Sequence, residues 1–158
     1  MFFLGINLLQ EEFMRSRLRG YEDVMECAGL TAESYFIQNS SRVAEAKTRE
    51  LLSYNTEKIA FVCASDRIAL GVVRAGLTFG RKFGENLTVT GFDGVFLDRI
   101  SSPHITTVKS PVIEMGEELA RMLLRKINAN GEAQGEILFE PKLIIRESTV
   151  GQDGTISN

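Results

Sequence analysis

The chain has 158 residues, 44% of them hydrophobic, a net charge of −3 and no Trp. That supports one domain or two small lobes around a sizeable core. It excludes a duplex-binding face, because Lys and Arg are nowhere clustered, and a membrane span, because no apolar run approaches about 18 residues.

Phe2–Ile6 reads as a strand that starts with nothing before it, which suggests a fragment of a larger protein. The opening FFLGI is too short for a signal peptide and lacks preceding basic residues. Asn7–Glu12 reads as a polar connection. A helix is predicted over about Phe13–Ala28, with Leu18, Tyr21, Val24 and Met25 inward and Gly29 as its stop. Tyr35–Gln38 is a short strand, and a second helix follows over about Arg42–Leu52 with Val43, Ala46 and Leu51 inward.

The stretch VCASDRIALG, Val62–Gly71, is the centre of the pattern. The apolar run Ile59–Ala64 ends at Ser65 and Asp66, and a helical pattern to about Gly80 begins at once. That is a buried strand entering a helix with an acidic first turn. In open α/β sheets, ligands sit beyond the carboxyl ends of the strands, so Ser65 and Asp66 stand where a ligand would be. Asp66 is equally an ordinary helix cap.

Leu87–Phe92 is the next strand and Asp93 ends it; Ile105–Lys109 is another. Pro111 suits the first turn of a helix to about Asn128, lined by Ile113, Met115, Leu119, Met122, Leu123 and Ile127. Glu136–Phe139 and Lys142–Arg146 read as strands around Pro141, and residues 151–158 as a polar tail. Alternating strands and helices with β-branched strands predict an α/β fold, a mainly parallel sheet with helices on both faces.

Candidate chemistry outside these junctions is sparse. Cys27 and Cys63 fit no zinc motif and read as buried small hydrophobes, as do Met14, Met25, Met115 and Met122. Two cysteines suit a reducing cytoplasm. The lone His104 has no recognisable Cys, Ser or Asp partner and reads as a turn residue beside Pro103. Glu114, Glu117 and Glu118 fit an acidic helix start better than paired catalytic carboxylates. No GxSxG, Walker or GxGxxG pattern occurs, so no enzyme and no cofactor is expected.

Five motifs stand in order: RLRGY at Arg17–Tyr21, ASDRIALGVVRAG at Ala64–Gly76, TVTGFDG at Thr88–Gly94, SPHITTVKSPVIEMGEELARMLL at Ser102–Leu124 and LIIREST at Leu143–Thr149. In this order and spacing they resemble the effector-binding core of LacI/GalR-type bacterial transcription regulators. LIIREST favours the regulators over the related periplasmic sugar-binding proteins, which are the alternative. The resemblance implies a type I periplasmic-binding-protein-like fold of two lobes joined by three crossing strands. Residues 1–109 and 140–150 would belong mostly to the C-terminal lobe and 111–139 to part of the N-terminal lobe, with crossings near Thr107–Ser110 and Phe139–Lys142. It further implies a homodimer and a small effector, usually a sugar, between the lobes. Operator DNA would be bound only through an N-terminal helix-turn-helix domain absent from this chain.

By the same resemblance, Arg17 matches the family's effector-binding arginine and Asp93 the acidic residue that ends the GFD strand. A guanidinium fork can hold paired hydroxyls or a carboxylate, and a carboxylate accepts from hydroxyls. Ser65 stands where many members have Asn, and Ser110 where many have Gln. No aromatic occurs in Asn39–Lys47, where many place one around Ser40 to stack on the ligand. These departures leave room for a larger or non-sugar effector. Leu70, Val73, Leu97 and Ile100 are candidates for the dimer interface, as apolar residues without an evident internal need.

Overall fold

The computed structural model describes residues 1–6, 12–94, 100–128 and 135–151. Its strands are β1 (Phe2–Ile6), β2 (Glu33–Ile37), β3 (Ile59–Cys63), β4 (Leu87–Asp93), β5 (Thr106–Lys109) and β6 (Lys142–Ile144). Its helices are α1 (Glu12–Cys27), α2 (Ser41–Tyr54), α3 (Asp66–Thr78), α4 (Val112–Asn128) and a single turn, α5 (Glu147–Val150). The sheet runs β2-β1-β3-β4-β5-β6. The first five strands are parallel and β6 lies antiparallel to β5.

β1 is buried along its whole length because both of its faces are covered. On one face Phe2 meets Tyr35 and Phe61; on the other Phe3 stacks on Tyr21 of α1, with ring centroids 5.5 Å apart. The chain crosses from β1 outward to β2, then returns past β1 to β3. Right-handed crossovers therefore put α1 on one face and α2 and α3 together on the other. α2 and α3 are packed close enough that a Cβ on Gly71 would lie 2.3 Å from the Ser41 carbonyl oxygen. The strand order reverses between β1 and β3, and a crevice opens at the carboxyl ends of such strands.

Inward faces differ from the sequence expectation in several places. On α1 the buried residues are Met14, Tyr21 and Met25, while Val24 is exposed. α2 buries Ala44, Thr48, Leu51 and Leu52, leaving Val43 half-buried and Ala46 exposed. Cys27 is exposed; only Cys63 is buried, and desolvation pushes its thiol pKa far up. Glu136–Phe139 forms no strand. Ile137 and Leu138 there are exposed, and among the described residues no strand pairs with them. None of α4's residues is buried, including Met115 and Met122. Glu117 and Glu118 pair with Arg121, and Glu118 also with Arg125, so these carboxylates form a surface ion-pair ladder.

The LIIREST segment docks back onto the sheet. Ser148 is buried; its hydroxyl donates to the Val89 carbonyl at 2.6 Å and accepts from the Thr106 amide at 2.8 Å. His104 is not partnerless: its Nδ1 lies 3.0 Å from a Glu147 carboxylate oxygen. That hydrogen bond holds the Glu147 carboxyl below its usual pKa.

Candidate functional site

Arg17 lies in the second turn of α1 and reaches across the carboxyl end of β3. Its Nη1 donates to the Ala64 carbonyl at 2.6 Å, and its Nη2 donates to Asp93 Oδ1 at 3.4 Å. The guanidinium sits 3.6 Å from the centroid of the Phe92 ring and 5.4 Å from that of Phe13. Both aromatics were missed in the sequence. Phe13 stands one helical turn before Arg17, a spacing that places the two side by side. Phe92 precedes Asp93 and shows no periodic signal of its role.

Desolvation dominates the electrostatics of this pair. Burial lowers the Arg17 pKa, with the Asp93 charge opposing; burial raises the Asp93 pKa, with the Arg17 charge opposing. The contact is a single long hydrogen bond, so it is not a closed bidentate pair. An arginine has five N–H donors, two of which are used here, and a carboxylate about four acceptor sites, so among the described residues donors and acceptors remain on both for a ligand. Asp93 also carries φ 103, a conformation rare for a residue with a side chain, and Gly94 follows at φ 67. Backbone strain of this kind costs about 1–3 kcal/mol and concentrates at functional sites.

Ser110 follows β5, and its amide donates to the Asp93 carbonyl at 3.3 Å. Ser65 is the N-cap of α3, its hydroxyl accepting from the Ile68 amide at 3.3 Å. The cap is therefore Ser65 and not Asp66. Asp66 is fully buried and accepts from the Thr107 hydroxyl at 2.6 Å, in space left by Gly91, where a Cβ would lie 2.3 Å from Asp66 Oδ1. It ties the β3–α3 junction to β5 and is withdrawn from any cleft. Arg17, Ser65, Asp93 and Ser110 thus gather at one edge of the sheet, with Ser65 only 3% exposed. A further residue joins them, Asn39 after β2, at the start of the stretch where the resemblance places a ligand-stacking aromatic; its Oδ1 accepts from the Ser65 hydroxyl at 2.8 Å.

Of the interface candidates, Ile100 is 57% exposed and Leu70 half-buried. Val73 is 1% exposed, packed within the core, and is unavailable to a partner. Leu97 lies outside the described residues. Among the described residues there is no metal-binding cluster and no helix long and apolar enough to cross a membrane.

An open, mostly parallel sheet, with a charged fork and a carboxylate meeting where its strand order reverses, defines a ligand-binding α/β lobe. Residues 2–149 match the periplasmic binding protein-like domain family, and the chain belongs to it, in the form found in LacI-type transcriptional regulators. It is 53% identical over 148 residues to the uncharacterized HTH-type transcriptional regulator YvdE of Bacillus subtilis, covering 94% of this chain and 46% of that protein. To the HTH-type transcriptional regulator MalR of Streptomyces coelicolor it is 32% identical over 138 residues, covering 87% of this chain and 40% of MalR. The crystal structure of the Escherichia coli transcriptional repressor ascG superposes with a TM-score of 0.79 at 26% identity, over 92% of this chain and 54% of that one. The chain thus spans less than half the length of these two curated relatives. They are regulators, which does not favour the periplasmic transport alternative.

Proposed function

We propose that this chain is the effector-binding and dimerisation part of a cytoplasmic transcription regulator, and that its effector is a small polyhydroxylated molecule, most simply a sugar. The observation that carries this reading is the convergence of Arg17 and Asp93, linked by one long hydrogen bond at the strand-order reversal. The pair offers unused donors on one side and unused acceptors on the other, and a sugar's hydroxyls serve as both. Ser110 flanks them. Phe92 lies beneath the guanidinium and holds it flat.

In this reading residues 1–109 and 140–150 form mostly one wall of the cleft, and 111–139, with α4, belong to the opposite lobe. Effector binding closes the lobes, and closure alters the geometry of DNA-binding heads carried elsewhere in the protein. Operator DNA is bound through those heads, by a homodimer using Leu70, Leu97 and Ile100. The protein catalyses no reaction.

The test is Arg17→Ala in the full-length protein. Calorimetric titration with neutral sugars should show a loss of about 1.5–3 kcal/mol, ten-fold or more in affinity. Operator binding without sugar should be retained, and its response to sugar lost. Unchanged sugar affinity would remove Arg17 from the site and this reading with it.

A further inference from the structure

We propose that the effector carries a phosphate group, and that Lys109 and Lys142 bind it at the carboxyl edge of the sheet. The inference rests on the effector-binding reading above and narrows its ligand class to a phosphorylated sugar.

Strand register brings the two lysines together. β4, β5 and β6 are neighbours in the sheet; Asp93 is level with Lys109, and Lys109 with Lys142. Residues directly opposite on an antiparallel pair present their side chains on one face, with Cβ atoms about 4.5–5.5 Å apart, and like charges placed so are destabilising. Lys109 ends β5 and Lys142 begins β6. Both therefore stand at the carboxyl edge of the parallel strands, and Ser110 is the next residue. Both lysines are exposed, and among the described residues neither has an ion-pair partner.

Asp93 is the carboxylate that the register sets beside Lys109, and the backbone gives it to another cation. At φ 103 it places Oδ1 3.4 Å from Arg17 Nη2. Gly94 then passes so close to Lys109 that a Cβ on it would lie 2.6 Å from the Lys109 Cα, Cβ and Cγ. A side chain at position 94 would collide with the stem of the lysine. A lysine on an edge strand guards against mispairing, which accounts for Lys142 on β6. That does not account for Lys109, because β5 is paired on both sides.

The charge balance selects the ligand. Arg17 and Asp93 oppose each other's charge and touch, which leaves the two ammonium groups uncompensated. A neutral sugar leaves them so, and a carboxylate cancels one. A phosphomonoester carries a charge of about −1.5 to −2 at neutral pH and three strong acceptor oxygens, so it balances both lysines and accepts from both. A phosphorylated sugar then meets Arg17 and Asp93 with its hydroxyls and the lysines with its phosphate. In the reading above the segments carrying these lysines are crossings between the lobes, so the phosphate also ties two crossing segments together.

The test is calorimetric titration of the full-length protein with glucose, fructose and ribose, with their terminal phosphomonoesters, with gluconate and with inorganic phosphate. Wild type is compared with Lys109→Gln, Lys142→Gln, the double variant and Arg17→Ala, and thermal melting of each is the fold control. The expected result is that wild type binds a phosphomonoester about ten-fold or more tightly than its neutral sugar, and that the double variant brings the two within about two-fold while melting near wild type. Each single variant should lose part of that preference. If Arg17→Ala loses sugar binding but phosphomonoester and neutral sugar bind wild type alike, or the double variant keeps the preference, the role of the lysines is overturned and the effector-binding reading stands. Gluconate binding more tightly than glucose 6-phosphate would make the group a carboxylate and overturn the phosphate assignment. Inorganic phosphate binding as tightly as every phosphomonoester would reduce the lysines to a free-anion site and overturn it as well. If wild type binds no sugar and no phosphomonoester, or Arg17→Ala binds as wild type does, the effector-binding reading itself falls, and this inference with it.

Discussion

Helices α3 and α4 are both amphipathic, yet the structure treats them in opposite ways. α3 has 13 residues and buries eight, among them Ile68, Val72, Val73 and Gly76. α4 has 17 and buries none, although Ile113, Leu119, Leu123 and Ile127 form a stripe at helical spacing. Periodicity shows that a helix has an apolar face; it does not show whether the chain in hand covers that face. α3 lies between two strands that pair with each other, so the sheet itself covers it. α4 follows β5, the last of the parallel strands, and its stripe is uncovered in the described residues. Its stability as an isolated element rests on the Glu117, Glu118, Arg121 and Arg125 ladder and on Arg125 and Lys126 in its last turn.

The contrast is sharpest under truncation of side chains. Ile68→Ala should destabilise by about 2–5 kcal/mol, through lost burial plus the cavity left behind. Leu123→Ala on α4 should stay within about 0.5 kcal/mol of wild type. Chemical denaturation of the 158-residue chain reads both, and similar losses for the two would abolish the distinction. A tighter version uses Gly71→Ala. Its new Cβ meets backbone rather than a movable side chain, so overpacking should cost about 1–3 kcal/mol. Gly116→Ala on α4 meets open space and should stabilise by up to about 1 kcal/mol, through helix propensity.

Acid separates two further regions. Glu147 has a folded pKa below its ordinary value of 4.5, caused first by the His104 hydrogen bond. Its contribution is therefore present above about pH 4.5 and lost as pH falls through the depressed value. Asp93 has a folded pKa above 3.8, caused first by burial. Its sign is reversed: the stability tied to its protonation is complete below 3.8 and is lost as pH rises through the raised value. Unfolding of wild type, Glu147→Gln and Asp93→Asn from pH 3 to 6 should show the wild-type advantage over Glu147→Gln shrinking on acidification. The disadvantage of wild type relative to Asp93→Asn should shrink over the same range. Parallel curves for all three would refute both assignments.

A further effect, of stabilising sign, lies in α2, beneath α3. Thr48 is fully buried, and among the described residues its hydroxyl has no hydrogen-bond partner. Thr48→Val keeps the shape and removes an unsatisfied group, and should raise stability by about 1 kcal/mol. A loss of stability instead would mean that the hydroxyl is bonded.

Much of the parallel sheet was legible because its strands are short apolar runs ended by polar residues; Phe2–Ile6 and Ile59–Cys63 are where the pattern places them. Glu136–Phe139 misled because a β-like composition needs a neighbouring strand to pair with, and pairing is not written in a local window. α5 escaped because one turn has no periodicity to detect. Arg17 and Asp93 were legible from the ordered motifs, and 3.4 Å now joins them. The contacts of Asn39 and Phe92 were not, since they depend on groups brought near by the fold, Ser65 in one case and the guanidinium of Arg17 in the other. The pairing of His104 with Glu147 likewise spans 43 positions.

The docking of Ser148 bears on the order in which the chain can fold during its own synthesis. The Val89 carbonyl and the Thr106 amide wait for a hydroxyl that leaves the ribosome 59 residues after the first of them and 42 after the second. Until then β5 also lacks its antiparallel neighbour β6. At translation rates of about 5–20 residues per second, this edge of the lobe stays open for several seconds on every chain made. A nascent chain halted before Lys142 would keep that edge exposed for as long as it is stalled, a ready site for mispairing or for a chaperone.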